Sequence, residues 1–130
     1  MAFIIRSIHN GLVLDVRRGE KRSGAEVIMW PYHGGDNQLW EYKNNMIYSK
    51  VNGLVLDITG AKNGGQIITF NPHGGKNQKW YFDDDFTIRS DAGMVMDVKK
   101  AAKHQGASVI GFGKHGGSNQ KFRVIPYSRR

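Results

Sequence analysis

Three copies of one pattern fill this 130-residue chain, and that repetition narrows its fold more than any other feature. NGLVLDV (Asn10 to Val16) returns as NGLVLDI (Asn52 to Ile58) and more loosely as AGMVMDV (Ala92 to Val98). HGGDNQLW (His33 to Trp40) returns as HGGKNQKW (His73 to Trp80) and HGGSNQKF (His115 to Phe122). Asp15, Asp57 and Asp97 are spaced 42 and 40 residues apart, and His33, His73 and His115 are spaced 40 and 42. The repeats run over about 3–43, 46–82 and 86–125. Each offers four short β-like runs separated by turn residues. They are Phe3–Ser7, Leu12–Val16, Glu26–Trp30 and Gln38–Tyr42; then Met46–Ser49, Leu54–Ile58, Gln66–Phe70 and Gln78–Phe82; then Phe86–Ser90, Met94–Val98, Ser108–Phe112 and Gln120–Val124. No helical period extends over a useful length. Twelve strands in three equal blocks predict an all-β closed barrel with hairpins capping one end, and closure removes exposed strand edges.

The chain is long enough for one domain, and no linker divides it; only Ser128–Arg130 reads as a tail. With no cysteine, a disulfide framework, a thiolate metal site and a cysteine nucleophile are all excluded. No apolar run is long enough to span a membrane, so no membrane insertion is expected. The N-terminal MAFIIRS lacks the apolar stretch and cleavage site of a signal peptide, which leaves secreted action and cytoplasmic storage both open. A net charge of +8 favours anionic partners without choosing among nucleic acid, membrane surface and acidic glycan.

Alternation of side chains along a strand sorts the residues by face. If Leu12, Leu14 and Val16 face the core, Asp15 lies outside the barrel wall. The same phase places Val27 and Met29 inward, with Ile28 and Trp30 outward. Phe70 and Phe112 then join Trp30 in the outer layer, while Gln38 and Trp40 share a face of the fourth strand. Each repeat thus contributes a carboxylate, an aromatic ring, a histidine and an asparagine. The sets are Asp15, Trp30, His33 and Asn37; Asp57, Phe70, His73 and Asn77; and Asp97, Phe112, His115 and Asn119. These groups suit a neutral sugar. A ring packs on the apolar face of a pyranose, a carboxylate accepts charge-assisted bonds from vicinal hydroxyls, and an asparagine both donates and accepts.

The closing motifs NQLW (Asn37–Trp40), NQKW (Asn77–Trp80) and NQKF (Asn119–Phe122), with the threefold pattern, resemble the ricin B-chain type lectins, the R-type or QxW β-trefoil family. The resemblance runs from about Phe3 to Val124. It implies a single β-trefoil domain in which the Gln and aromatic of the motif are structural. It implies sugar contacts from the Asp after the second strand, the aromatic ending the third and the Asn of the motif. It also implies galactose or N-acetylgalactosamine as ligand, on cell-surface glycoproteins or glycolipids. Two departures stand out. Ile28, Ile68 and Ile110 occupy positions where many members carry a polar residue, often Gln. The cysteines common in the family are absent, and the HGG turn is similar to that of some cysteine-free lectins of invertebrates and fungi, bivalve lectins among them.

Each group also has a plainer reading. A strand-ending Asp is often a turn residue, HGG can be a turn preserved by duplication, and the three Asn can satisfy backbone groups. Asp83–Asp85 reads as a solvated connector, with no partner acid opposite it. No nucleophile–base–oxyanion group is visible, so no enzymatic activity, cofactor or metal is expected. Repeat 1, with Trp30, should be the best of three unequal sites. Basic residues concentrate in Arg17–Ser23 and Lys99–His104, while Thr59–Gly65 holds only Lys62. These loops solubilise a face, or flank the first and third pockets and attract sialylated or sulfated glycans. The expected function is a multivalent lectin, alone or as a homodimer, with no nucleic acid partner. Its rivals are a basic trefoil binding heparin-like polyanions and a protein-binding trefoil.

Overall fold

A computed structural model describes residues 1–128; Arg129 and Arg130, part of the tail assigned from sequence, lie outside the described residues. Twelve strands follow the repeat pattern. Repeat 1 holds β1 (Phe3–Ser7), β2 (Val13–Val16), β3 (Ala25–Trp30) and β4 (Trp40–Lys43). Repeat 2 holds β5 (Met46–Ser49), β6 (Val55–Ile58), β7 (Ile67–Phe70) and β8 (Trp80–Phe82), and repeat 3 holds β9 (Ile88–Ser90), β10 (Val95–Val98), β11 (Val109–Phe112) and β12 (Phe122–Pro126). The first and fourth strands of each repeat form a ring. Ladders join β12–β1, β1–β4, β4–β5 and β8–β9. Single bonds, from the Trp80 amide to the Asn45 carbonyl and from the Phe122 amide to the Phe86 carbonyl, close the two remaining seams. The hairpins β2–β3, β6–β7 and β10–β11 cap one end, and the architecture is a β-trefoil.

Strand boundaries correct the sequence reading in one systematic way. Gln38, Gln78 and Gln120 do not begin the fourth strand; each ends a 3-10 turn, at Asp36–Gln38, Lys76–Gln78 and Ser118–Gln120. The strand starts two residues later, at the motif aromatic, so Gln38 and Trp40 do not share a strand face. The physical cause is that the glutamine side chain is recruited to bind backbone and carboxylate, which bends its own chain away from the ladder.

The core confirms the phase. Leu14, Val16, Val27 and Met29 are buried in it, with Leu12 packed against it. Trp40, Trp80 and Phe122 are among its largest fully or almost fully buried side chains. Both indoles donate through Nε1 to a second-strand carbonyl, Leu14 at 3.4 Å and Leu56 at 3.1 Å. This gives the buried N–H a partner, which Phe122 does not need.

The caps are stitched in a cycle. The Gly24 amide donates to the Thr69 carbonyl, Gly64 to Gly111 and Gly106 to Met29, each at 2.7 Å, so every hairpin loop grips the third strand of the next repeat. At the equivalent third-strand positions the repeats carry Met29, Thr69 and Gly111. Gly111 has no positive φ, yet a Cβ there would sit 2.6 Å from Cδ1 of Ile58. Ile58 stands where the other repeats have Val16 and Val98, so its extra methyl fills the space Gly111 leaves. Gly111→Ala should therefore cost about 1–3 kcal/mol by overpacking, and Ile58→Val in the same chain should recover part of the loss. Urea unfolding of both single variants and the double variant tests this coupling, and additive costs would refute it.

Candidate functional site

In each repeat the second and third strands carry the outward groups. The register pairs Val13 with Trp30 and Asp15 with Ile28, so Asp15, Ile28 and Trp30 lie on one face, opposite the core. The same holds for Asp57, Ile68 and Phe70, and for Asp97, Ile110 and Phe112. The rings are open to solvent, with Phe70 and Phe112 each 37% exposed and Trp30 half-buried. The aspartates are outside the barrel wall as expected, but they are not exposed: Asp15, Asp57 and Asp97 are only 3–4% accessible. The 3-10 turn folds over them.

The Gln of the closing motif accounts for this burial. Gln38 Nε2 donates to Asp15 Oδ2 and to the Pro31 carbonyl, both at 2.9 Å, while its Oε1 accepts from the amides of His33 and Gly34 at 2.8 and 3.2 Å. All four bonds of the amide are made with no exposure. Gln78 repeats the set with Asp57, Asn71, His73 and Gly74. Gln120 does so with Asp97, Gly113 and His115. One side chain thus ties the carboxylate to the turn that carries the histidine.

The asparagines follow the plainer of their two readings, satisfying backbone, and add a bond to the aspartate. Asn37 Nδ2 gives its hydrogens to Asp15 Oδ1 and to the Val16 carbonyl, both at 3.2 Å. Asn77 and Asn119 donate likewise to Asp57 and Ile58, and to Asp97 and Val98. Their donors are committed inside the protein, which leaves Oδ1 as the acceptor and removes the two-way role assigned from sequence.

HGG has a definite geometry. The first glycine takes a positive φ, for example +79° at Gly34. The second has ordinary φ but no room for a Cβ, which at Gly35 would lie 2.8 Å from His33 Cε1 and 3.0 Å from Asn37 Oδ1. Its amide donates to His33 Nδ1 at 2.9 Å, an arrangement repeated at Gly75–His73 and Gly117–His115. An Nδ1 that accepts puts the proton of the neutral ring on Nε2. That Nε2 faces the aspartate Oδ2 at 3.8, 3.7 and 3.6 Å in repeats 1, 2 and 3. Phe70 and Phe112 meet the edges of His73 and His115, with ring centroids 6.2 Å apart.

Two of these groupings open onto clefts. In repeat 1 a cavity of about 420 Å³ is lined by Asp15, Trp30, His33, Asn37, Ile28 and Glu26, with Arg17 and Arg18 at its rim and Gly106 from the neighbouring repeat. In repeat 3 a cavity of about 510 Å³ is lined by Asp97, Phe112, His115, Asn119 and Ile110, with Lys99 and Lys100 at the rim and Gly64 from the neighbouring repeat. The basic loops do flank the first and third clefts. Glu26 was missed in the sequence, although it shares the phase of Ile28 and Trp30; it pairs with Arg17 at 3.1 Å. The glycines lent by adjacent repeats have no local signature. Among the described residues no three His, Asp or Glu side chains converge on a metal position. The Asp83–Asp85 connector is a tied turn: Asp83 pairs with Arg89 at 2.9 Å, and Lys114 and Thr87 hold the Asp85 carboxyl well below its ordinary range.

The architecture is a β-trefoil in which two repeats open a shallow cleft with an exposed ring beside a fixed carboxylate, and comparison with known proteins gives the family. The family description "Ricin-type beta-trefoil lectin domain" matches residues 1–122, and the chain belongs to that family, the R-type lectins. The C-half of the earthworm R-type lectin, solved in complex with GalNAc, is 32% identical over 95% of this chain and 97% of its own, with a TM-score of 0.84. The designed threefold-symmetric protein ThreeFoil is 30% identical over 97% of this chain and 99% of its own, with a TM-score of 0.88. An agglutinin of Ricinus communis is 50% identical over 36 residues, which span 28% of this chain and only 6% of the agglutinin.

Two predictions follow from the carboxylate network. Gln38→Met keeps the volume but leaves Asp15 Oδ2 and the turn amides without their partner. It should lower stability by about 2–3 kcal/mol, measured as a shift in the urea midpoint. Separately, burial pushes the Asp15 and Asp97 carboxyls up from their ordinary value, against the opposing bonds from Gln38 or Gln120, the nearby histidine and the asparagine. Between the ordinary value and the raised one the native state holds the extra protons. The contribution of these two groups to stability is therefore full below that window and declines as pH rises through it. Carboxyl-carbon NMR titration should show both groups ionising above the ordinary aspartate range; titration at or below that range would contradict the burial argument.

Proposed function

We propose that the chain is a non-enzymatic, multivalent lectin for galactose- or N-acetylgalactosamine-terminated glycans on glycoproteins or glycolipids. In each repeat a pyranose would rest on Trp30, Phe70 or Phe112 and bond to the groups beneath. The observation that carries this reading is the first cleft, where an open indole and a carboxylate already fixed by two amide donors line one small cavity. The polar groups complement a hydroxyl. The remaining lone pairs of Asp15 and Oδ1 of Asn37 accept its proton, and the Nε2–H of His33 donates to its oxygen. The fixed carboxylate needs no reorganisation on binding.

The GalNAc complex of the earthworm relative supports the choice of sugar. Each shallow site would bind weakly, at about the millimolar level, and avidity for a glycan-bearing surface would come from several sites acting together. Trp30 offers the largest platform, so repeat 1 should bind most tightly.

Trp30→Ala should abolish binding of N-acetylgalactosamine at the first site while leaving the urea midpoint nearly unchanged. Trp40→Ala should instead cost about 3–5 kcal/mol as a core truncation. Sugar titrations followed by NMR, beside unfolding curves, separate the two effects. Undiminished binding by Trp30→Ala would overturn the proposed stacking.

A further inference from the structure

The turn after the second strand needs two consecutive left-handed residues in every repeat, and the repeats fill the first of these positions differently. Repeat 2 has Gly60 at φ 70°, the residue that takes this conformation without steric cost. Repeats 1 and 3 have Arg18 at φ 57° and Lys100 at φ 56°. Long side chains are uncommon in this region of backbone space. These two are cations, and each lies at the rim of its own cleft. The residue before is also basic in those two repeats, Arg17 and Lys99, and is Thr59 in repeat 2.

The partners of these cations grade the three repeats. In repeat 1, Arg17 is matched by Glu26, so the cleft is balanced between Arg17 and Arg18 on one side and Asp15 and Glu26 on the other. In repeat 3 the position of Glu26 is Ser108, so Lys99 and Lys100 face only Asp97 and the cleft is positive. In repeat 2, Thr59, Gly60 and Gln66 leave Asp57 as the one formal charge at the equivalent positions. No ion pair engages Arg18, Lys99 or Lys100 among the described residues.

We propose that Arg18 and Lys100 are specificity-determining residues that make the first and third clefts receptors for a galactose-type sugar bearing an anionic substituent. On this proposal the preference is strongest in repeat 3, weaker in repeat 1 and absent in repeat 2. The shared chemistry is an oxyanion next to the stacked ring, from either a sialic acid carboxylate or a sulfate ester. The proposal rests on the lectin reading above and adds to it a division of labour among the sites. Exposed rim charges act modestly, so each cation should contribute about two- to fivefold in affinity at low salt and less at high salt, where charges are screened.

The test is a site-resolved titration of the full chain with methyl galactoside, 6-O-sulfogalactose and 6′-sialyllactose, at low and high salt. The amides of Gly35, Gly75 and Gly117, each bonded to its own histidine, report the three repeats separately in nitrogen–proton NMR spectra. The expected result is a salt-sensitive preference for an anionic sugar at Gly117 and Gly35 but not at Gly75. Which of the two anionic probes shows it identifies carboxylate or sulfate. Lys100→Gly and Arg18→Gly, which suit the backbone, should remove the preference and leave methyl galactoside binding intact; Gly60→Arg should create it in repeat 2. Equal affinities for charged and neutral sugars, unmoved by these substitutions, overturn the proposal and leave the lectin reading standing. Site-specific anion binding with no response to methyl galactoside supports the charged rim and overturns the stacked neutral sugar. No response to any probe overturns both.

Discussion

A buried amide holding a buried carboxylate is the contact on which both barrel and clefts depend. Gln38, Gln78 and Gln120 have no exposed surface, and each donates to an aspartate 23, 21 and 23 residues earlier in the chain. A carboxylate taken out of water is expensive unless donors replace its hydration. Here the donors come from the turn that must be closed before the fourth strand can enter the barrel wall. Satisfying the charge and closing the turn are therefore one event. The same bonds present the histidine and the asparagine oxygen toward the cleft, so local folding and the polar floor of the site share a cause.

Threefold repetition does not mean threefold identity. The core tolerates differences where they compensate, as Ile58 fills the space that Gly111 leaves. Outside the core, differences need no compensation, and there the repeats diverge most: Trp30 against two phenylalanines, and Arg18 and Lys100 against Gly60. The framework is held by packing and buried polar bonds. The rims face water, where most substitutions cost little.

The fold was readable because duplication makes its pattern visible. Strand number and the inward face of Leu14 and Met29 follow from spacing and alternation, while the core position of Trp40 and Trp80 follows from the resemblance to the R-type lectins. The start of the fourth strand was not readable, because Gln38 fits a strand pattern until its side chain finds Asp15 across more than twenty residues. The burial of the aspartates escaped for the same reason, and so did the bonds of the Asn37, Asn77 and Asn119 amides to those aspartates; their bonding to backbone was among the plainer readings. Alternation along a strand reports which face a side chain takes, but not whether another segment covers that face. The ring, acid, histidine and asparagine that the motifs group lie near one another in each repeat; which of their atoms remain free is a matter of long-range bonding.

The hairpin loops pass a glycine to the next repeat in rotation, Gly24 to the second, Gly64 to the third and Gly106 back to the first. Gly106 and Gly64 are walls of the first and third clefts. Neither cleft is thus the property of one copy alone: a single repeat cut out of the chain would lose a wall of its own pocket, and the lending runs round the molecule as a circle without a terminal member.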